Sequence, residues 1–507
     1  MTETGSPAIS RILSEGLIFF AANFLSRVVF FGMTIVLSRI FMPEEYGHYV
    51  LVKTAILCAA VLDVWLLESV MRFHAEHKRK GTAALFQSQV QTIAAWYVTI
   101  IMMVMAATLI LLSPDASLRQ LLLTATVIYI LDYLYRLHLQ LLRARRDVRA
   151  HSVLSFAYAV LRLGIALALI FGWSRSIHSV LLAWIAADVV LLPFLIQRTR
   201  KRTRTAINSA TNPAMRGRIV SPQLLGQLVR YGLPFLPMAA GWTGLYLADR
   251  FMLQYLQEAS QLGLYGLASS FAELGYIIPY MLIATPAQAA IIEAWSDGRE
   301  KGASECLSRL VRLHILIVLP LIAALATLAT PIVMTVAREA YLPAAGALAL
   351  LAPGVLGWGL LSFTNLSFML KKRTDLLAAL GLAGLTVNIV LNGLLIPRYG
   401  FLGAATATSL TYTALAAAAW FIAGAYLRLV PRVPWLSVRR SLLATAFMVA
   451  ATQLAVRLLP VSLLSLILVV GVGALAYCFS LLALGEYQIN DGARVIRRLL
   501  PRQEQTT

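Results

Sequence analysis

Charged side chains that interrupt long apolar stretches are the best candidates for chemistry in this sequence. A charge near the centre of a bilayer costs roughly 2.5–3.5 kcal/mol on insertion scales, so each such group needs a partner, water or a ligand. Arginine suits phosphate or acidic sugar, whereas a carboxylate suits a proton or a cation. The charged residues in question are Arg27, Asp63, Arg162, Asp188, Asp249, Arg250 and Glu273.

Arg27 and Arg162 have no acidic residue three or four positions away on their own helices. Counting a rise of about 1.5 Å per residue from the ends of the apolar runs places both arginines near the middle of the membrane. They predict a water-filled cationic cavity that binds substrate. The alternative, in which they pair across helices with Asp63, Asp188 or Asp132, remains open.

Two further charged pairs have different spacings. Asp132 and Arg136 are four residues apart, so the sequence predicts that they neutralise each other on one helix face. Asp249 and Arg250 are adjacent and point about 100° apart on a helix, so each needs a partner on another helix. A salt bridge at an outer gate and a plain anchor at the membrane interface are both consistent with their position.

Glu273 is the candidate for a titrating or cation-binding group in the second half of the chain. Asp63 and Asp188 join it as candidates for coupling to H⁺ or Na⁺. The sequence predicts no catalytic residue, no metal site and no cofactor, because its cysteines are scattered singly and show no metal-ligand spacing. Those cysteines are Cys58, Cys306 and Cys478.

The elements that position these residues follow from composition. Of the 507 residues 59% are apolar and only 13% are charged, whereas soluble domains average about half apolar and a quarter charged. The apolar residues form runs of about 20, the length that crosses a hydrocarbon core. The sequence therefore predicts an all-α polytopic membrane protein with about fourteen transmembrane helices. We interpret the first apolar run as a membrane span and not as a removable signal peptide.

The net charge of +20 at first suggests an anionic partner such as nucleic acid. The positions of the charges argue against that partner, because most of the 43 Lys and Arg residues lie in alternate loops between apolar runs. The other loops are short and nearly free of basic residues. By the positive-inside rule, both termini are predicted to be cytoplasmic.

The longest polar connection, residues 197–231, divides the chain. We predict an N-terminal lobe at 1–196, a basic cytoplasmic linker at 197–231 and a C-terminal lobe at 232–427. Two extra helices and a basic tail follow at 428–507. Basic segments beside membrane helices attract anionic lipid, so the linker is also a candidate contact for lipid headgroups.

An internal repeat supports this division. The pattern GxYxL occurs at 47–51 and again at 263–267, each time after an arginine, a few apolar residues and an acidic loop. The two copies fall at corresponding places before and after the central break. The repeat predicts two parallel halves related by an axis along the membrane normal.

Three stretches of sequence resemble a known family. YGLPFLPMAAGWTGLYLADRFMLQYLQEASQLGLYGLASS (231–270) resembles helices seven and eight of Wzx-type polysaccharide flippases, which show a "GlPl…DRf.lg…lG.Y" pattern. LSRIFMPEEYGHYVLV (37–52) resembles the first loop of that family. KKRTDLLAALGLAGLTVNIVLNGLLIPRYGFLGAATATSLTY (371–412) resembles its "NiilN…IP.yG..GAA.aT" region.

The resemblance implies the multidrug/oligosaccharidyl-lipid/polysaccharide exporter fold, with two six-helix lobes in a V around a central cavity and two extra helices. Such relatives flip undecaprenyl-pyrophosphate-linked oligosaccharide across the bacterial inner membrane by alternating access, for lipopolysaccharide or exopolysaccharide synthesis. Polysaccharide polymerase and chain-length proteins are candidate partners. Asp249 and Arg250 match the family's DR motif directly. Family members have cationic cavities, but no motif carries Arg27 and Arg162 over.

Two alternatives lie within the same superfamily, a lipid II flippase and a cation-coupled multidrug exporter. A cationic drug would want an acidic cavity, while lipid II shares the pyrophosphate and so is not excluded by charge. An enzyme is disfavoured. The predicted outward loops are short, no DxD is present, and GxxxxGK[ST] does not occur.

Overall fold

The computed structural model describes residues 6–112, 116–208 and 220–486. Within these ranges the chain is helical and contains no β-strand. The α-helices are α1 (Ser6–Ile40), α2 (Pro43–Ala59), α3 (Val64–Arg79), α4 (Ala83–Leu112), α5 (Ala116–Ala144), α6 (Val148–Gly172), α7 (Ile177–Asn208), α8 (Pro222–Gly232), α9 (Phe235–Leu256), α10 (Ala259–Ser296), α11 (Glu300–Thr327), α12 (Ala329–Val336), α13 (Ala344–Leu370), α14 (Thr374–Ile422), α15 (Trp435–Leu458) and α16 (Leu463–Ala483).

Ten helical stretches in the described part are long and apolar enough to cross a membrane. One of them, Thr374–Leu427, is kinked at Gly400 (φ 56°, ψ −135°), so it supplies two crossings. Three more helices, α5, α9 and α10, are 29, 22 and 38 residues long and carry the charged residues discussed above. These helices together give the fourteen crossings that the sequence predicts, and the all-α polytopic class is confirmed.

Short polar side chains fix several helix starts. Asp147, Ser221 and Ser462 stand just before α6, α8 and α16, and each side chain accepts a hydrogen bond from a backbone N–H of the first turn. These bonds satisfy N–H groups that have no partner within the helix. At α2, Pro43 begins the helix and the Glu45 carboxylate accepts from the Met42 N–H at 3.0 Å.

The first of two compact units comprises residues 1–266 and Ala378–Gly393. In it α1 packs on α6, α6 on α7 and α7 on α5, while α3 packs on α5 and α8. Gly232 lets the end of α8 approach α3 closely, because a methyl group there would overlap the carbonyl oxygen of Trp65. This packing brings the charged positions of α5, α6 and α7 into one buried region.

The predicted linker is partly helical. Residues 197–208 continue α7, and residues 222–231 belong to the short helix α8. Residues 209–219 lie outside the described part of the chain. The predicted boundaries at 196 and 232 stay predictions, and α8 and α9 belong to the first compact unit.

The second compact unit comprises residues 267–377 and 394–507, of which the structure describes those up to 486. In it α11 packs on α13 and α15, and α15 packs on α16. The Tyr477 hydroxyl donates to the Leu316 carbonyl at 2.7 Å and lies 2.8 Å from the Ser441 hydroxyl. These bonds fasten α15 and α16 to α11.

Candidate functional site

Arg162 lies in the middle of α6 and is paired across helices. Its guanidinium is 3.4 Å from Asp132 Oδ1 on α5 and 3.2 Å from Asp188 Oδ2 on α7. The side chain is only 8% exposed. Of the two arrangements left open by the sequence, the structure therefore has the paired one for Arg162. Its predicted role in binding substrate stays a prediction.

Arg136 extends the same set of ion pairs. Its Nε is 2.7 Å from Asp132 Oδ2, as the four-residue spacing on α5 predicts. Its Nη2 is 2.6 Å from Asp63 Oδ2, and Asp63 is fully buried in the 3-10 turn that joins α2 to α3. Asp63, Arg136, Asp132, Arg162 and Asp188 thus form one continuous chain, which we call the charged network.

Aromatic side chains enclose the charged network. The Tyr129 hydroxyl donates to Asp63 at 2.6 Å, and the Tyr158 hydroxyl donates to Asp132 at 3.0 Å. The Arg162 guanidinium lies 4.1 Å from the Tyr158 ring centroid and 4.4 Å from the Trp184 ring centroid. Rings at these distances stabilise a desolvated cation. The network lies within the first unit, and among its buried atoms Arg162 Nε and Asp188 Oδ1 have no hydrogen-bond partner in the described part of the chain.

The charge of the network is unbalanced. Three carboxylates share two guanidinium groups, so full ionisation leaves one negative charge in excess. Asp188 Oδ1 is buried and accepts no hydrogen bond from any described residue. A buried oxygen of this kind is able to take up a proton or a small cation. Among the described residues, no group of three or more His, Cys, Asp or Glu side chains could hold a metal ion.

Arg27 is placed differently from Arg162. It lies on α1, its side chain is exposed, and no described residue forms an ion pair or hydrogen bond with it. It is not a member of the charged network. Its predicted role in binding substrate stays a prediction.

Asp249 and Arg250 are both buried on α9. The Tyr265 hydroxyl of α10 donates to the Asp249 carboxylate, so this side chain has its partner on the next helix. The Arg250 guanidinium donates to the Tyr246 carbonyl at 2.5 Å and lies 4.6 Å from the Tyr246 ring centroid. The direct distance between the Arg250 and Asp249 side chains is 4.0 Å, which agrees with the weak pairing expected of adjacent residues. Their predicted role in a gate stays a prediction.

Glu273 lies apart from the charged network, on the part of α10 that belongs to the second unit. Its side chain is half-buried. It stands three residues before Tyr276, so the two side chains share one face of the helix. Its role in ion coupling stays a prediction.

The aromatic residues around the network were not singled out from the sequence, although their spacing carries a signal. Tyr158 precedes Arg162 by four residues, and Trp184 precedes Asp188 by four. Residues four apart lie on one helix face, so the spacing places each ring on the same face of its helix as the charged residue that follows it.

Comparison with known proteins matches the chain to one family. Residues 36–346 match the family described as "polysaccharide biosynthesis protein". The match covers more than half of the 507 residues and includes every member of the charged network. No curated protein matches the chain in sequence.

Solved structures share the fold. The structure described as "Lipid II flippase MurJ, inward closed conformation" is similar with a TM-score of 0.71 and 14% identity, covering 92% of this chain and 98% of that one. An inward-facing multidrug resistance MATE family transporter of the MOP superfamily is similar with a TM-score of 0.62 and 12% identity, covering 82% and 98%. A MOP superfamily transporter from Pyrococcus furiosus gives 0.52 and 14%, covering 83% and 95%. The predicted exporter fold is confirmed.

Proposed function

We propose, from the premise that the chain belongs to the polysaccharide biosynthesis protein family, that it flips a lipid-linked oligosaccharide across the bacterial inner membrane. The observation that carries the proposal is the family match on a chain made of membrane-crossing helices. The contribution we propose for this helical bundle is to move an intermediate of polysaccharide synthesis between the two leaflets. The substrate class is undecaprenyl-pyrophosphate-linked oligosaccharide, destined for a surface polysaccharide or exopolysaccharide.

Arg27 is the residue we assign to the pyrophosphate. It is exposed, it lies within the apolar span Ile18–Ile40, and no described residue neutralises it. A guanidinium presents paired N–H donors that match two phosphate oxygens. Arg162, whose charge is shared with two aspartates, contributes less to that recognition.

The charged network is the proposed site of ion coupling. Its excess carboxylate, and the unpartnered Oδ1 of Asp188 in particular, supports uptake of H⁺ or Na⁺. Neutralising that charge changes how strongly Arg162 holds α6 to α7, because the attraction between charges in a low-dielectric interior is strong. An ion that binds one conformation better than the other shifts the population between them.

Alternating access needs a contact that opens. We assign this role to the beginnings of α2 and α10, which pack closely through Gly47 and Gly263. The hydrogen bond from Tyr265 to Asp249 ties α10 to α9 just beyond that contact. With both termini cytoplasmic, as the loop charges predict, this contact lies on the outer side of the membrane.

Deletion of the gene tests the proposed function. The expected result is loss of one surface polysaccharide and accumulation of its lipid-linked oligosaccharide in the cytoplasmic leaflet, in cells that remain viable. Normal polysaccharide together with a lethal block in wall synthesis would establish a lipid II flippase instead. Normal polysaccharide with raised sensitivity to cationic drugs would establish a drug exporter, the function of the MATE transporters that share this fold.

A further inference from the structure

The helices α3, α5, α10 and α13, which end on the side predicted to be cytoplasmic, finish with the same turn. Two residues after each helix, one residue has a left-handed backbone, and its N–H donates to the carbonyl three residues before it. The next N–H donates to the carbonyl five residues before it. These two bonds form a Schellman motif, which satisfies carbonyls at the end of a helix. The left-handed residues are Gly81, Arg146, Gly298 and Lys372.

The turns follow the same order in both halves of the sequence. Gly81 and Gly298 lie 34 and 35 residues after the glycines that begin the two GxYxL patterns. Arg146 and Lys372 stand at the next turns on the same side, after α5 and α13. Each half thus has glycine at its first left-handed turn and a basic residue at its second.

A basic residue is an unfavourable choice for a left-handed backbone. Glycine adopts this conformation without steric cost, whereas the Cβ atom of any other residue comes too close to the following carbonyl oxygen. The φ angle is 61° at Arg146 and 58° at Lys372, so both residues are strained. A residue that is kept in a strained conformation points to a function for its side chain.

Membrane topology alone does not account for these two basic residues. The loop between α5 and α6 also carries Arg143, Arg145 and Arg149. The loop between α13 and α14 also carries Lys371 and Arg373. The positive-inside rule counts the basic residues of a loop, whatever their position within it. Glycine at either strained position would keep the topology signal and remove the strain.

The charges of Arg146 and Lys372 have no partner in the described part of the chain. Both side chains are exposed, and no described residue forms an ion pair or a hydrogen bond with either of them. The nearest acidic residues in the sequence are paired with other arginines. Asp147 lies 3.0 Å from Arg198, and Asp375 lies 2.7 Å from Arg373.

Aromatic rings place both turns at the membrane surface. The Arg143 guanidinium, three residues before Arg146, lies 5.7 Å from the Phe19 ring centroid. The Lys371 ammonium lies 4.7 Å from the Trp295 ring centroid. A cation over an aromatic ring at the end of a membrane helix is typical of the interface, where the ring stays near the hydrocarbon and the cation reaches the headgroups. Phosphate groups of the lipids lie at the same level.

We propose that Arg146 and Lys372 each bind the phosphate of an anionic phospholipid headgroup. The guanidinium of Arg146 donates two N–H groups to phosphate oxygens, and the ammonium of Lys372 attracts them as a point charge. This contact is the reason that a basic residue stands where glycine would be more stable. Each contact lies within one compact unit and does not depend on which molecule the protein transports.

Native mass spectrometry of the purified full-length protein in detergent tests the proposal, with phosphatidylglycerol and zwitterionic phosphatidylcholine as probes. The attraction of one basic residue to an anionic lipid surface corresponds to a factor of about five in affinity. Arg146→Gly and Lys372→Gly are each expected to weaken binding of phosphatidylglycerol about fivefold and to leave binding of phosphatidylcholine unchanged. Both variants should unfold at a higher temperature than the unsubstituted protein without added lipid, because glycine relieves the strain.

Matched variants separate a defined contact from general attraction. Arg79→Ala and Arg309→Ala remove exposed basic residues of α3 and α11, one from each unit. They lower the net charge as much as the glycine variants do, and each should change binding of phosphatidylglycerol less than about twofold, because distant exposed charges are screened. Arg146→Asn also removes the charge and tolerates a left-handed backbone, so it carries the test if Arg146→Gly fails to fold.

The outcomes decide the proposal. Weaker binding of phosphatidylglycerol by the glycine variants, with higher unfolding midpoints and unchanged controls, supports it. Unchanged binding by both glycine variants, an equal loss in the controls, or an equal loss of both lipids overturns it. Lower midpoints for the glycine variants would show that the basic side chains hold the turns themselves, which also overturns it. Displacement of phosphatidylglycerol by an equal concentration of inorganic phosphate would assign the turns to a soluble anion instead.

Discussion

Gly47 and Gly263 lie in reciprocal contact. Each is the fifth residue of its helix, and each Cβ position points at the first residue of the other helix. A methyl group on Gly47 would overlap the carbonyl oxygen of Ala259, and one on Gly263 would overlap that of Pro43. Such reciprocity is typical of elements related by a twofold axis. The GxYxL repeat of the sequence thus marks two helix starts that pack against each other.

Alanine at either glycine should destabilise the protein. The methyl group that Gly47→Ala or Gly263→Ala adds would push the backbones of α2 and α10 apart. Overpacking of this kind typically lowers the free energy of unfolding by about 1–3 kcal/mol. Gly164→Ala is the matched control, because no other atom lies within 4 Å of its added methyl group. Thermal unfolding of the full chain in detergent measures the effect. Equal midpoints for all three variants would contradict the close contact.

The charged network shows where prediction from the sequence ends. The number of membrane crossings and the Asp132–Arg136 pair depend on spacing within single helices, so the sequence predicts them. The partners of Arg162 stand 26 and 30 residues away on other helices. Helical spacing reports only neighbours three or four residues apart. It therefore left the pairing of Arg162 open and gave no reason to separate Arg162 from Arg27.

Distance along the chain limits prediction further at the end of α16. Glu486 binds Arg312, which stands 174 residues earlier. The sequence around either residue contains nothing that predicts an ion pair between them. Only the packing of α15 and α16 on α11 brings them together.

Removing Arg162 alone should lower the stability of the protein more than removing Arg162 and Asp188 together. Arg162→Leu leaves Asp188 buried without its cation, and breaking a buried pair in this way costs about 3–5 kcal/mol. The double variant Arg162→Leu with Asp188→Leu leaves Arg136 to balance two carboxylates and should be less destabilised than Arg162→Leu alone. Thermal unfolding of Arg162→Leu, Asp188→Leu and the double variant is the measurement. Simple addition of the two single effects would count against the pairing.

Asp188→Asn should uncouple transport from the ion gradient. The amide keeps the size of the side chain but removes the excess negative charge of the network. Export driven by an imposed H⁺ or Na⁺ gradient in vesicles is expected to fall to the rate without a gradient. Asp297→Asn, in an exposed pair with Arg299, serves as the control and should retain the dependence. A gradient-dependent Asp188→Asn protein would place coupling elsewhere.

Arg27→Ala should lose export and keep its fold. The side chain is exposed and no described residue pairs with it, so its removal breaks no bond to the described part of the chain. A hydrogen bond to a charged group is worth about 1.5–3 kcal/mol, which corresponds to a loss of affinity for undecaprenyl pyrophosphate of about ten- to a hundredfold. Arg457→Ala, an exposed arginine at the end of α15, provides the comparison. Full export by both variants would remove Arg27 from the substrate site.

Glu486 follows the end of α16 and forms two ion pairs that should weaken in acid. Its fully buried side chain lies 2.7 Å from Arg312 on α11 and 3.2 Å from Arg440 on α15. Burial alone would raise the pKa of Glu486, but hydrogen bonds from Ser437, Arg312 and Arg440 outweigh it and hold that pKa below the ordinary value. Because the folded-state pKa is lowered, the stabilisation is present above the ordinary glutamate pKa of about 4.3 and is lost as the pH falls through the folded-state value.

Glu486→Gln should therefore lower the unfolding midpoint at neutral pH by the equivalent of about 1–3 kcal/mol. The difference from the unsubstituted protein should shrink below about pH 4, because protonation then removes the same charge from both proteins. Asp375→Asn, in a pair with Arg373 that lies in solvent, should leave the midpoint unchanged at every pH. A difference between Glu486→Gln and the unsubstituted protein that stays constant down to acid pH would show that the ionised carboxylate is not what holds α16 to α11 and α15.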